Sequence, residues 1–294
     1  MSWALWAGIT AASIWGAMYV VSKAVMAVIP PLTLLALRLI LGALALVPLV
    51  RFRGRLVPPR PLLREALLVG AVGYGLSLSL QFLGTDLSTA SNGAVITAAT
   101  PAFVGLFAAW LLREPLGSRR IIALALATLG ALLIVDPRQM TLAPRRFWGD
   151  VLLFLAAVAW ALYSVLVRRL TQKLPVLTAS LWTFLGGLLP VAPLSFWELQ
   201  QRPMGTWTPG VWAGVLFLGI VSTALAMAFW NYAFARLEAS VAGLTFFAQP
   251  VVGTLLSAWF LHEELSLLFF LGALGIGVGL YLATTAPETT LQEA

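Results

Sequence analysis

The chain has 294 residues, 61% of them hydrophobic and only 10% charged, with a formal net charge of +7 carried almost wholly by arginine. A soluble domain carries about 25% charged residues, so a soluble fold is excluded, and a β-barrel is excluded because the apolar runs are long and continuous rather than short and alternating. The absence of cysteine removes disulfides, thiolate metal sites and a Cys nucleophile, and the positive balance speaks to topology and anionic lipid headgroups, not to nucleic acid.

A bilayer core requires about 20 apolar residues per helix. On that ruler the sequence predicts an all-α membrane protein of ten transmembrane helices, near Trp3–Val28, Pro31–Val50, Leu62–Leu83, Thr89–Leu112, Arg120–Val135, Gly149–Val167, Val176–Trp197, Val211–Phe234, Ala239–Leu261 and Leu265–Thr284. The first run has no basic start and is too long for a cleaved signal peptide, so it reads as a span. The fifth is the shortest. Small residues spaced by four (Ala123, Ala127 and Ala131 in span five, Gly275 and Gly279 in span ten) mark faces on which helices approach closely. Contact between repeats of one chain is expected there, hence a monomer, with a dimer as the alternative.

The chain repeats itself. Residues 90–116 return at an offset of 149: Ala90, Ser91, Ala99, Pro101, Leu106, Trp110, Glu114 and Leu116 recur as Ala239, Ser240, Ala248, Pro250, Leu255, Trp259, Glu263 and Leu265. Trp15, Pro30, Leu32, Thr33, Gly42 and Pro48 recur as Trp160, Pro175, Leu177, Thr178, Gly187 and Pro193, at an offset of 145. The predicted units are residues 1–141 (spans one to five) and 142–294 (spans six to ten, with a short cytoplasmic tail). Five spans is an odd number, so the second unit enters the membrane from the opposite side, and the two form an inverted pair. With the N-terminus in the cytoplasm, twelve basic residues fall in inside loops and four (Arg138, Arg145, Arg146 and Arg202) outside, which fits the positive-inside rule. Both termini are then cytoplasmic.

The Trp15-Gly16 pair, Arg38 in span two and the Pro101…Arg113-Glu114-Pro115-Leu116 ending of span four resemble the EamA-type drug/metabolite transporters. The echo Pro250…His262-Glu263-Glu264-Leu265 and the glycines of span ten are similar to the second repeat of that family, and the resemblance covers residues 3 to 284. Two departures make the halves unequal: Trp160 is followed by Ala161, and Arg38 has Thr183 as its counterpart. The resemblance implies a secondary transporter, an exporter or facilitated carrier of small organic metabolites, amino acids foremost, in the bacterial plasma (inner) membrane. It implies a central cavity lined mainly by spans one, three, four, six, eight and nine.

Residue chemistry points to the same helices. Pro101 and Pro250 lack an N–H and are expected to release the carbonyls of Thr97 and Phe246 as hinges. Matching interruptions in two repeats point to a binding site, although Ser and Thr near a kink can simply re-satisfy the backbone. Thr97 and Thr100 stand beside Pro101, and Gln249 precedes Pro250. Trp15, Tyr19 and Ser22 share a face of span one; Trp160, Tyr163 and Ser164 share one of span six; Tyr74, Ser77 and Gln81 share one of span three; Trp230 and Asn231 stand in span eight. Buried Tyr, Trp, Gln and Asn require hydrogen-bond partners, which a polar, partly aromatic cavity supplies. Trp3, Trp6, Trp197, Trp207 and Trp212 fit an interfacial belt.

Lys23 and Arg38 are the basic residues well within spans. Both are placed toward outer ends, where snorkelling as an anchor is cheap; the alternative is an anion site near an outer gate, with Asp86 latching Lys23. No Asp or Glu occupies the middle of a span, and His262 is terminal. Proton relays use intramembrane carboxylates or histidines, so buried-carboxylate proton coupling is not expected. A membrane enzyme with clustered acid, base or metal-ligating residues is not expected either, nor a cofactor or metal. Glu114 and Glu263 are expected to cap a helix or pair with arginine. The expected partners are a small-molecule substrate and the bilayer. The alternatives are a carrier of phosphorylated, lipid-linked or drug-like solutes and a non-transporting membrane scaffold.

Overall fold

The computed structural model describes residues 2–53, 56–88, 96–115, 117–135, 146–261 and 267–285, apart from the side chains of Tyr19, Arg53, Val135 and residues 257–261. The expectations for His262, Glu263 and Glu264, and for the Tyr19 side chain, lie outside the described residues. Within them the chain is helical throughout, with no strand: α1 Trp3–Met26, α2 Pro31–Arg53, α3 Arg60–Leu87, α4 Thr100–Leu112, α5 Ser118–Val135, α6 Phe147–Thr171, α7 Val176–Gln201, α8 Pro209–Arg236, α9 Ala239–Leu244, α10 Ala248–Leu261 and α11 Leu267–Thr284. Eight described helices are long and apolar enough to cross a bilayer, and α4 is a shorter apolar helix. Helix starts follow local chemistry. Proline stands in the first turn of α2, α3 and α8, where its missing N–H loses nothing. The Thr208 hydroxyl accepts from the Val211 N–H at 3.3 Å.

Pro101 and Pro250 do not kink the middle of a continuous helix. Each sits in the first turn of a new segment, α4 beginning at Thr100 and α10 at Ala248, after a turn at Ala98–Ala99 and a 3₁₀ turn at Thr245–Phe247 respectively. A first-turn position suits a residue without an N–H, so the break moves upstream of the proline. The Phe246 carbonyl is consequently not free: it receives the Ala248 N–H.

Two further irregularities were not expected. The hydrogen-bond ladder widens to a π-helix over Ala71–Ser77 in α3 and over Phe217–Leu225 in α8. These stretches occupy corresponding places in the two repeats, and such bulges gather at functional sites.

The repeats are interleaved rather than side by side. α1 packs on α8 and α10, and reciprocally α6 packs on α3 and α4. Counterpart helices run antiparallel, as inversion requires. At one end the Glu198 carboxylate near the close of α7 accepts from the Leu32 and Thr33 N–H groups at the start of α2, at 3.2 and 2.8 Å. At the other, Trp182 early in α7 donates to the Leu56 carbonyl just beyond α2, at 2.8 Å. α5 and α11 meet where Gly279 lies on Ala123 and Ala127, as expected, and also where Gly130 lies on Gly272, a pair the sequence reading did not single out. A Cβ at Gly130 would stand 2.5 Å from the Gly272 carbonyl oxygen, closer than real Cβ contacts. Gly130→Val is therefore expected to force α5 and α11 apart at a penalty of about 1–3 kcal/mol. Thermal unfolding in detergent reads this as a midpoint several degrees lower; an unchanged midpoint would show that the pair separates freely.

Candidate functional site

The breaks and bulges surround one place. An open cavity of about 420 Å³ is walled by α1, α3, α6 and α8 and by the two interrupted segments before α4 and α10. Both repeats contribute. Trp15, Met18, Ser77, Gln81, Thr97 and Thr100 come from the first; Ala156, Ala157, Trp160, Met227, Phe246 and Gln249 come from the second. Among the described residues no charged side chain lines it.

Aromatic packing fixes the floor. Trp15 meets Trp160 edge-on, ring centres 5.6 Å apart, and lies 5.2 Å from Trp230 and 6.2 Å from Phe246. Its indole N–H donates to the Ser222 carbonyl at 3.0 Å, a carbonyl inside the α8 π-stretch. Beneath the floor runs a buried chain of hydrogen bonds. The Tyr74 and Tyr163 hydroxyls are 2.5 Å apart, the Tyr163 hydroxyl donates to Asn231 Oδ1 at 2.8 Å, and Asn231 Nδ2 donates to Ser180 Oγ at 2.9 Å. The Trp230 indole N–H donates to Ser164 Oγ at 3.3 Å, and Ser164 donates to the Trp160 carbonyl at 2.9 Å.

The residues expected at the site thus divide into two layers. Trp15, Ser77, Gln81, Thr97, Thr100, Trp160 and Gln249 line the cavity. Tyr74, Tyr163, Ser164, Trp230 and Asn231 lie behind them, buried and bonded to one another, because their polar atoms find partners on neighbouring helices instead of in the cavity. Met18, Met227 and Phe246 are wall residues that sequence reasoning missed. An apolar side chain in an apolar helix gives no contrast; only the three-residue step from Trp15 to Met18 placed the latter on the right face. Two polar atoms of the wall, Trp160 Nε1 and Gln249 Oε1, are buried without a described partner.

The charged candidates need correction. Arg38 does not snorkel: it is fully buried. Its Nε donates to Thr223 Oγ1 at 3.1 Å and Nη2 to Ser222 Oγ at 3.4 Å, and its guanidinium lies over the Phe82 ring, 5.2 Å from the centre. The α8 π-stretch carries both hydroxyls to it, and the Thr223 hydroxyl itself donates to the Leu218 carbonyl five residues back at 2.7 Å. No described carboxylate pairs with Arg38, and Nη1 has no described partner. A charge at mid-bilayer costs about 2.5–3.5 kcal/mol on insertion scales. Asp86 does not latch Lys23 either. It pairs with Arg202 at 3.0 Å, a residue held in place because it also donates to the Met26 carbonyl at 3.4 Å. Lys23 is exposed and makes no ion pair with a described residue.

At the opposite end of the bundle, Glu114 does both things expected of it. Its carboxylate accepts from the Ala239 and Ser240 N–H groups at 2.9 and 3.2 Å and from the Ser240 hydroxyl at 3.2 Å, capping α9. It also pairs with Arg168 Nε at 3.1 Å. Arg168 adds a bond to the Phe234 carbonyl at 3.0 Å, and Arg120 pairs with Glu238 beside them. Glu114 is presented by a sharp stop in α4, where Arg113 takes a left-handed conformation at φ 56° and the Glu114 N–H returns to the Ala108 carbonyl. Among the described residues no cluster of His, Asp and Glu is suited to a metal ion.

Relatives agree with this architecture. A transporter of Bacillus subtilis, YoaV, named as uncharacterized, is 26% identical over 92% of this chain and 93% of its own. A probable biotin transporter of Pseudomonas aeruginosa is 30% identical over 80% of this chain and 82% of its own, and the biotin transporter of Escherichia coli K12 is 27% identical over 76% and 73%. A protein of known crystal structure superposes with a TM-score of 0.78 over 96% of both chains, at 24% identity, which speaks to the fold. The model of the EamA-like transporter family matches residues 1–136 and 147–285, and with two interleaved helical repeats around an open cavity the chain belongs to that family.

Proposed function

We propose that the protein is an alternating-access carrier of small organic metabolites with a flat or apolar body, built from ten transmembrane helices as two inverted repeats in the plasma membrane, with both termini cytoplasmic. The observation that carries this reading is the cavity itself. It takes its walls from both of two antiparallel repeats, and each repeat contributes one interrupted helix and one π-bulged helix. Rocking one repeat against the other about such a site presents it to either face. Pro101 and Pro250, each just past a break, serve as hinges. Trp15, Trp160 and Phe246 supply stacking surface, so amino acids with aromatic or apolar side chains are the first solutes to try. The relatives named for biotin make that vitamin the second. Phosphorylated solutes are disfavoured because a phosphate dianion calls for more than one cation, and no described cation lines the cavity. In a non-transporting scaffold, an aromatic-walled cavity shared by both halves would serve no purpose.

The test is counterflow in proteoliposomes loaded with amino acids and biotin, with and without a pH gradient. Exchange of a labelled solute at a rate that changes less than about two-fold with the gradient is expected, since the cavity wall carries no carboxylate or histidine to move a proton. A strong pH dependence would shift the coupling to acids at the helix ends or to the solute. No exchange of any solute would overturn the carrier reading.

A further inference from the structure

We propose that the cavity contains an anion subsite and that the solute it takes is a monocarboxylate with a flat or apolar body, its carboxylate directed toward Arg38 and the Ser22 hydroxyl. The inference deepens the carrier reading, rests on it, and ranks monocarboxylates ahead of the zwitterionic amino acids.

A second cavity of about 210 Å³ shares Met18 and Gln81 with the main one and is completed by Ser22, Met26, Phe82 and Thr85. The two adjoin through these side chains, the first aromatic-walled and the second narrow. One donor borders the narrow end and a second lies behind its wall. Ser22 Oγ lines it, is buried, and has no described partner. Arg38 stands one side chain away, since Phe82 both lines this cavity and carries the guanidinium on its ring. An arginine keeps its proton at any physiological pH. The hydroxyls of Ser222 and Thr223 satisfy two of its nitrogens but supply no negative charge, and the third is unmatched.

A clamp on the α8 π-stretch would account for those two bonds, but not for a full charge in the membrane interior. Such charges are retained where they meet an opposite charge, and no described carboxylate offers one. The number of charges selects the ligand class. A phosphate dianion calls for more than one cation. A zwitterion brings an ammonium that would meet no carboxylate on either cavity wall. A single carboxylate matches one guanidinium edge and one hydroxyl, and leaves an apolar body for the Trp15, Trp160 and Phe246 surface.

The test uses three probes with one phenylethyl body: 3-phenylpropionate, 3-phenylpropionamide and L-phenylalanine, titrated calorimetrically against the full chain in lipid nanodiscs. The expected result is about 10-fold or tighter binding of the acid than of the amide. Arg38→Met is expected to bring the two to parity by weakening the acid alone, Arg38→Lys to retain most of the preference, and Ser22→Ala to weaken the acid several-fold without moving the amide. A purely structural Arg38 would instead lower both affinities together in Arg38→Met, leave Ser22→Ala silent, and overturn the proposal. Should Arg38→Met not fold, the Ser22→Ala and Arg38→Lys ratios decide it alone. L-phenylalanine bound at least as tightly as the acid, with acid and amide at parity, sinks the subsite and leaves the carrier reading standing. Failure of all three probes to bind also sinks the subsite, and counterflow of the amino acid and biotin mixture then tells whether the carrier reading falls with it.

Discussion

Glu114→Ala is expected to open the end of the bundle at which α9 begins. One carboxylate there holds two N–H groups, one hydroxyl and one guanidinium, and it ties α4 of the first repeat to α6 and α9 of the second. Its removal uncaps α9, whose first donors have no other described acceptor, and deprives Arg168 of its carboxylate. Breaking such a largely buried pair costs about 3 kcal/mol, and since each 1.4 kcal/mol is a factor of ten, the closed form would lose about 100-fold in population. The native chain has no cysteine, so Ala157→Cys on the cavity wall provides a single reporter. Its labelling by an impermeant maleimide from the Glu114 side should rise by about that factor when Glu114→Ala is added. Glu114→Gln, which can still accept from the α9 amides, should fall between. Equal labelling in all three would mean that other contacts close this end.

The second large effect is expected at Asn231→Leu. Asn231 Oδ1 ends a chain of donors that begins with two tyrosine hydroxyls, and its amide nitrogen reaches Ser180. All four residues are buried, so leucine removes the amide acceptor and leaves the Thr183 hydroxyl, already shared by both tyrosines, as the described acceptor beside the pair. An unsatisfied buried group costs about 1–3 kcal/mol, and the thermal midpoint should fall accordingly. Adding Tyr74→Phe and Tyr163→Phe removes the two hydroxyls and should recover part of the loss. That sign is informative, because independent residues would make the triple variant worse than the single one.

Much of this architecture was legible in the sequence. The offsets of 149 and 145 pointed to two units and the odd span count to their inversion, with which the antiparallel α2–α7 and α5–α11 pairs agree. Cavity residues such as Trp15, Gln81, Thr97 and Gln249 could be picked out because a polar or amphipathic side chain in a lipid-facing helix demands a partner. Three kinds of feature could not be read. A π-bulge changes the hydrogen-bond ladder without changing hydrophobic periodicity, so Ala71–Ser77 and Phe217–Leu225 gave no signal. The burial of Arg38 depends on hydroxyls 184 and 185 residues away, and the pairing of the exposed Asp86 depends on an arginine 116 residues away. Depth within a span, which suggested snorkelling for Arg38, says nothing about which neighbour covers it. The layering of Tyr74, Tyr163 and Asn231 behind the wall is likewise a property of the packing and not of any single helix.

The interleaving of the repeats has a consequence for biogenesis. The Trp15 indole meets its acceptor Ser222 across 207 residues of chain, and α6 must wait in turn for nothing, because α3 and α4 precede it. During synthesis at about 5–20 residues per second, α1 therefore spends about 10–40 s in the membrane before the helix it packs on exists. In that interval its Trp15 and Ser22 face lipid, the translocation machinery or chaperones. The first five helices are not a self-sufficient folding unit, and their rapid clearance by quality control when made alone, with rescue by co-synthesis of the second five, follows from the same geometry.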